Sequence, residues 1–157
     1  MGPRAMLRAT VVMGCLTALT AAGCATAPPM SAGQAIEKRK ALMKEQGAAW
    51  RSAQDKAKAG QITAIAADAE KLAATAKQIP ALFPEGSLDP AKSAAKPEIW
   101  QKRAEFDAAA KNLETWATRL AAASKANNTT ETQAIMKQFG KMACGTCHGP
   151  FRVPPKP

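Results

Sequence analysis

Tyrosine is absent from this 157-residue chain, the aromatics together make only 4 % of it, and histidine occurs once. So few aromatics give a core only a modest payload of large side chains. A lone histidine rules out any site that needs two imidazoles. Paired carboxylates placed for acid–base work, a nucleophile beside a base and a phosphate-cradling loop are all missing, which leaves no candidates for catalysis in the usual sense, and the chain is read as no enzyme. β-Branched residues rarely cluster, so no segment reads as a convincing strand. No acidic residue precedes Glu37, and the apolar run near the start is shorter than the ~20 residues that span a bilayer.

That start has the form of an export signal. Arg4 and Arg8 precede a run of small and apolar residues from Ala9 to Ala22. The stretch TAAGC at Thr20 to Cys24 is similar to a bacterial lipoprotein box, with Ala21 where that pattern prefers leucine. Residues 1–23 are therefore read as a signal peptide of lipoprotein type, Cys24 as a lipid-bearing anchor, and 24–33 as a tether holding the domain at 34–153 in the periplasm; the other reading is ordinary cleavage at the A-x-A of Ala25 to Ala27, which Pro28 disfavours, giving a soluble product. Loss of Arg4 and Arg8 lowers the formal charge from +10 to +8. The lysines are spread over every helical segment and no nucleic-acid motif accompanies them, so no nucleic-acid partner is expected. A positive field of this kind suits an acidic redox partner protein.

Past the tether the pattern is helical throughout, and alanine is abundant. The first helix opens on a capping box at Ser31 and Gln34, and carries Ile36, Met43, Trp50 and Ala57 at seven-residue spacing, with Leu42 and Ala53 filling the same side. Gly60 separates it from a second helix over 61–79, with Ile62, Ile65, Ala69, Leu72, Ala76 and Ile79 on one face until Pro80 stops it. Prolines at 80, 84, 90 and 97 mark a long crossing connection. The third helix starts near Glu98 and repeats Ile99, Phe106, Leu113 and Leu120. Thr130 and Gln133 can cap a fourth, which runs through Ile135, Phe139, Ala143 and Cys147. The fold class is all-α, an antiparallel four-helix bundle. Small alanine faces leave such a bundle with a modest core, and a bulky apolar group inside it would complete the filling.

The fourth helix holds the most informative stretch, KMACGTCHGPFR. On a helix, Cys144, Cys147 and His148 project from about one turn of one face. Cys-x-x-Cys-His is the haem-attachment signature: two thiols for thioethers and an adjacent imidazole for the iron. Other readings are weaker. A structural zinc site needs four ligands, a thioredoxin-like pair needs a preceding strand, and a disulfide across two residues would constrain little. The expected cofactor is one covalent haem c.

A haem motif at the far end of a helical chain resembles the cytochrome c prime family, the class II c-type cytochromes. The matching residues are CGTCHGPFR, the ALFPEGS of the connection, the AKPEIW opening the third helix, and Ile36, Arg39 and Met43 in the first, together spanning about 34 to 152. The resemblance implies that Cys144 and Cys147 hold the haem and that His148 is the proximal iron ligand. Arg152 matches a proximal-side arginine, although Gly149-Pro150 departs from the family pattern and leads one to expect an early end to the helix. Arg39 matches an arginine near a haem propionate. Met43 matches the residue facing the iron opposite His148. In cytochrome c prime proper that side chain packs over a five-coordinate iron open to nitric oxide or carbon monoxide. In the low-spin branch a methionine there is the sixth ligand of an electron carrier. A methionine on an apolar stripe favours packing. Met136 and Met142 lie on the haem-bearing helix itself, and Met30 falls in the tether. Trp50, Trp100, Trp116 and Phe106 are read as core or haem-edge packing. The resemblance also implies a homodimer through the first two helices, for which Ile62 and Ile65 are surface candidates if they are not core.

Overall fold

A computed structural model of the chain describes residues 30–155, together with Gly2. The rest of the segment read as a signal peptide, Cys24 and most of the expected tether lie outside those residues. α1 spans Ala32–Lys58 and begins as the sequence predicts: Ser31 Oγ accepts from the Gln34 amide at 3.3 Å, while Gln34 Oε1 accepts from the Ser31 amide at 2.9 Å. It starts inside the segment expected as tether, and Met30 packs against the core. Ala59 caps the other end, and Gly60, at φ +70°, takes the left-handed turn that a side chain would resist.

The second rod is shorter than the predicted 61–79 helix. A 3-10 turn at Ile62–Ala64 leads into α2, Ile65–Ala76, and the amides of Gln78 and Ile79 then bond back only three residues as the chain tightens ahead of Pro80. All six apolar residues of its predicted face are nonetheless buried. Ile62 and Ile65 are therefore core, which removes them from any dimer surface.

The third rod is broken near its start. α3, Glu98–Gln101, and α4, Arg103–Lys125, meet at Lys102 with φ −121° and ψ 49°. The break lets one residue on each side of it, Trp100 and Arg103, grip the connection. Trp100 Nε1 donates to Pro84 O at 2.9 Å, and Arg103 donates from Nη1 to Phe83 O and from Nη2 to Pro80 O, each at 2.9 Å. The fourth rod is capped by Asn128 rather than Thr130: Asn128 Oδ1 accepts from the Glu131 amide at 3.1 Å and α5 spans Thr129–Phe139. Asn127 at φ 52° makes the sharp corner that brings Asn128 into the cap. A π turn, Gly140–Cys144, then joins α5 to α6, Gly145–Phe151.

The four rods form the expected bundle, with α2 packed on α1 and α4, and α4 on α5. Its core runs through Leu72, Phe106, Leu113, Leu120, Ile135 and Phe139. Each such side chain contributes about 1.5–3 kcal/mol by leaving water. The aromatics are few but concentrated: Phe106 meets the edges of Phe83 at 4.8 Å and Phe151 at 5.4 Å. On α1, Ile36, Leu42 and Ala53 are buried as the stripe predicts and Ala35 and Ala49 join them, while Met43 and Trp50 are only half-buried because they face a hollow.

Because Arg103 fastens the connection, Arg103→Ala is expected to lower unfolding stability by about 2 kcal/mol, with Arg103→Lys recovering less than half. Urea denaturation with an unchanged slope checks this; equal midpoints for wild type and alanine variant would contradict it.

Candidate haem site

The hollow has a volume of about 590 Å³ and is bounded by α1, α2, α4, the connection and the α5–α6 rod. Cys144 ends the π turn, and Cys147 and His148 follow on the first turn of α6, so all three line one wall. Both cysteines are free thiols and half-buried. The wider π turn leaves backbone carbonyls in need of donors. Asn112 on α4 supplies one, its Nδ2 donating to Met142 O at 2.5 Å and to Thr146 Oγ1 at 3.2 Å. No sequence pattern marks Asn112, since its partner exists only once the π turn forms.

The helix does not end early at Gly149-Pro150. It continues to Phe151, with Pro150 inside it. Glycine at 149 removes the Cβ that a following proline ring would crowd. Beyond it the chain turns extended at Arg152 and pairs with the connection: Lys96 N donates to Phe151 O at 3.1 Å and Val153 N to Ala94 O at 2.8 Å. That pairing fixes Arg152 at the hollow beside His148.

α1 builds another wall from Arg39, Met43, Gln46 and Trp50. Trp50 stacks on Phe139 of α5 with centroids 4.6 Å apart and planes 20° apart, which stiffens the wall where α1 meets the fourth rod. Gln46 Nε2 donates to Thr75 Oγ1 at 3.2 Å. Sequence reasoning passed over Gln46, although it lies three residues after Met43 and seven after Arg39, on the same face. The connection supplies Lys92, Ser93, Ala94 and Ala95. Of the remaining candidates, Phe106 lines the hollow, Trp100 anchors the connection, and Trp116 carries the Arg119 guanidinium 5.6 Å from its ring centroid and does not reach the hollow. Met136 packs against the core and Met142 is exposed, and neither lines the hollow.

The electrostatics are one-sided. Arg39, Lys40, Lys92 and Arg152 line the hollow and, among the described residues, no carboxylate does. Burial pushes the Cys144 thiol up, and burial with the neighbouring Cys144 pushes Cys147 up to about 11. Desolvation first, and the Arg152 cation second, push His148 down, which keeps its imidazole neutral and able to ligate a metal at neutral pH. Two thiols and a neutral imidazole on one wall, a largely apolar interior and cations for acidic substituents form the donor set that a haem requires.

The comparisons agree with that chemistry. The family model described as Cytochrome C' matches residues 34–152. A cytochrome c' from Rhodopseudomonas palustris is 34 % identical over 124 residues, covering 75 % of this chain and 81 % of that protein. A cytochrome c-556 from Agrobacterium fabrum is 33 % identical over 144 residues, covering 88 % of this chain and 94 % of its own. In structure, the nitric oxide complex of a cytochrome c prime variant from Alcaligenes xylosoxidans superposes with a TM-score of 0.69 at 23 % identity, covering 79 % of this chain and 98 % of that one. The chain therefore belongs to the cytochrome c' family, four-helix bundles whose cofactor is one covalently attached haem c.

Proposed function

We propose that the protein is a periplasmic haem protein, and no enzyme, whose iron is held from one side by His148 and left open on the other for a small gas such as nitric oxide or carbon monoxide, with single-electron exchange available to the same group. The observation that carries this reading is the make-up of the two walls. The α6 wall offers Cys144, Cys147 and His148, whereas the α1 wall offers no imidazole and, of sulfur, only the thioether of Met43. In this reading Cys144 and Cys147 hold the haem through thioethers and His148 through its imidazole. Arg39 and Arg152 provide positive charge toward its carboxylates and its proximal face. When bound, haem supplies an iron that takes up one electron and a diatomic ligand.

Met43 sets access. Half-buried and packed against the core cluster, it fills the α1 side as a side chain would that covers the iron without binding it. A small ligand then displaces packing rather than breaking a bond, so bulky anions are disfavoured. The nitric oxide complex of the Alcaligenes xylosoxidans protein supports this reading of the bundle. Redox exchange would use an acidic partner protein attracted by the basic surface. Export by residues 1–23, a tether over 24–33 and lipid attachment at Cys24 belong to the same proposal, as does a homodimer through α1 and α2. No helix among the described residues is long and apolar enough to cross a membrane.

Replacement of both Cys144 and Cys147 by alanine is expected to abolish haem that stays with the polypeptide on a denaturing gel, read by haem-dependent peroxidase staining; a retained stain would contradict the assignment. Met43→Ala is expected to speed carbon monoxide association with the ferrous protein roughly tenfold, the equivalent of relieving about 1.4 kcal/mol of packing. Stopped-flow mixing measures it, and an unchanged rate would remove Met43 from the access route.

A further inference from the structure

Arg39 is 3 % exposed, and its nearest partners are all uncharged. Nη1 donates to Ser87 Oγ at 3.1 Å, Nη2 donates to Ser87 O at 2.9 Å, and the guanidinium carbon stands 4.7 Å from the centroid of Phe83. Nε is buried with no partner. Arginine keeps its charge in this setting. A buried cation without a carboxylate against it is costly, and chains tolerate it where something negative completes the site. The acidic group that acts on it is Asp89, which is part-exposed and paired with Lys92 at 3.4 Å.

Ser87 is the residue that makes this arrangement rigid. It is wholly buried, and its hydroxyl donates to Pro84 O at 2.7 Å while accepting from Arg39. Its place is set by Gly86 at φ +73°, which turns the chain so that hydroxyl and carbonyl both point at α1. The hydroxyl is thus committed as an acceptor toward Arg39, whose Nη1 and Nη2 bond the Ser87 Oγ and carbonyl together.

We propose that Ser87 is a positioning residue for the haem pocket: by fixing the buried Arg39 cation in the pocket wall, it biases the bound group toward its reduced, more negative form. The inference rests on the haem reading above. A fixed cation in a poorly solvated wall acts on a nearby redox group far more than an exposed lysine does, because water does not screen it. Without the Ser87 hydroxyl the Arg39 guanidinium loses one of its two hydrogen bonds and is no longer held at one place in the wall, so the bias is lost although the charge remains in the sequence.

The test is a redox titration of the holoprotein carrying Ser87→Ala, Arg39→Gln, Arg39→Lys and the Ser87→Ala/Arg39→Gln pair. Ser87→Ala and Arg39→Gln are each expected to lower the midpoint potential, cutting the equilibrium constant for reduction by a fixed donor roughly tenfold. The pair should fall no further than Arg39→Gln alone, because Ser87 acts through Arg39. If Ser87 merely holds the connection in place, its alanine variant would shift the potential equally with and without Arg39, and the proposal fails. It also fails if Arg39→Gln leaves the potential unchanged. Should Arg39→Gln not fold, Arg39→Lys serves: it keeps both the charge and a donor that Ser87 can hold, so its potential should stay above that of Ser87→Ala, and an equal fall overturns the proposal. A wild-type protein without bound haem would instead overturn the functional reading on which the inference stands.

Discussion

The hollow between the helices is the constraint on which the other features depend. Alanine-rich faces let α1, α2 and α4 approach closely, yet around Met43, Trp50 and Cys147 the walls stand apart by enough to enclose about 590 Å³. Most of its lining is apolar, and a flat apolar group seated there would cover side chains that the bundle by itself leaves to water. The haem is thus part of the core as well as the functional group. This explains how a chain with no tyrosine and few aromatics sustains a bundle: the largest ring system in its interior is one that it does not encode.

Holding the walls apart without losing them falls to polar fasteners at the edges. Arg103 and Trp100 secure the start of the connection, and the Arg39–Ser87 pair secures its middle. The short pairing of Ala94 and Lys96 with Phe151 and Val153 secures its end against the residues that follow His148. One strap of chain therefore touches both the α1 wall and the end of α6. Asn112 does the same for the π turn that aims Cys144. These bonds join residues far apart in sequence to backbone carbonyls, so they add positional definition that apolar packing of small alanines lacks.

Much of this was legible in the sequence, because it depends on local period and spacing. The Ser31 capping box, the buried face of the second helix and the Phe106–Leu113–Leu120 line follow from the 3.6-residue repeat. The clustering of Cys144, Cys147 and His148 follows from i, i+3, i+4 geometry. What was not legible depended on tertiary partners. The break at Lys102 exists because Trp100 and Arg103 both reach the connection. The cap at Asn128 depends on the left-handed Asn127. The helix survives Pro150 because Gly149 precedes it and the extended Arg152 that follows pairs with Ala95. Gln46 and Ser87 carry no signature alone; each matters through Thr75 or Arg39, partners that no spacing rule connects.

The visible absorption spectrum of the purified holoprotein, ferric and dithionite-reduced, with and without carbon monoxide, tests the central claim most directly. The account predicts a coloured protein with a broad, unsplit ferrous visible band that sharpens and moves promptly on adding the gas. A colourless protein would contradict the cofactor assignment, and sharp, split ferrous bands indifferent to carbon monoxide would contradict the open iron by assigning Met43 as its sixth ligand.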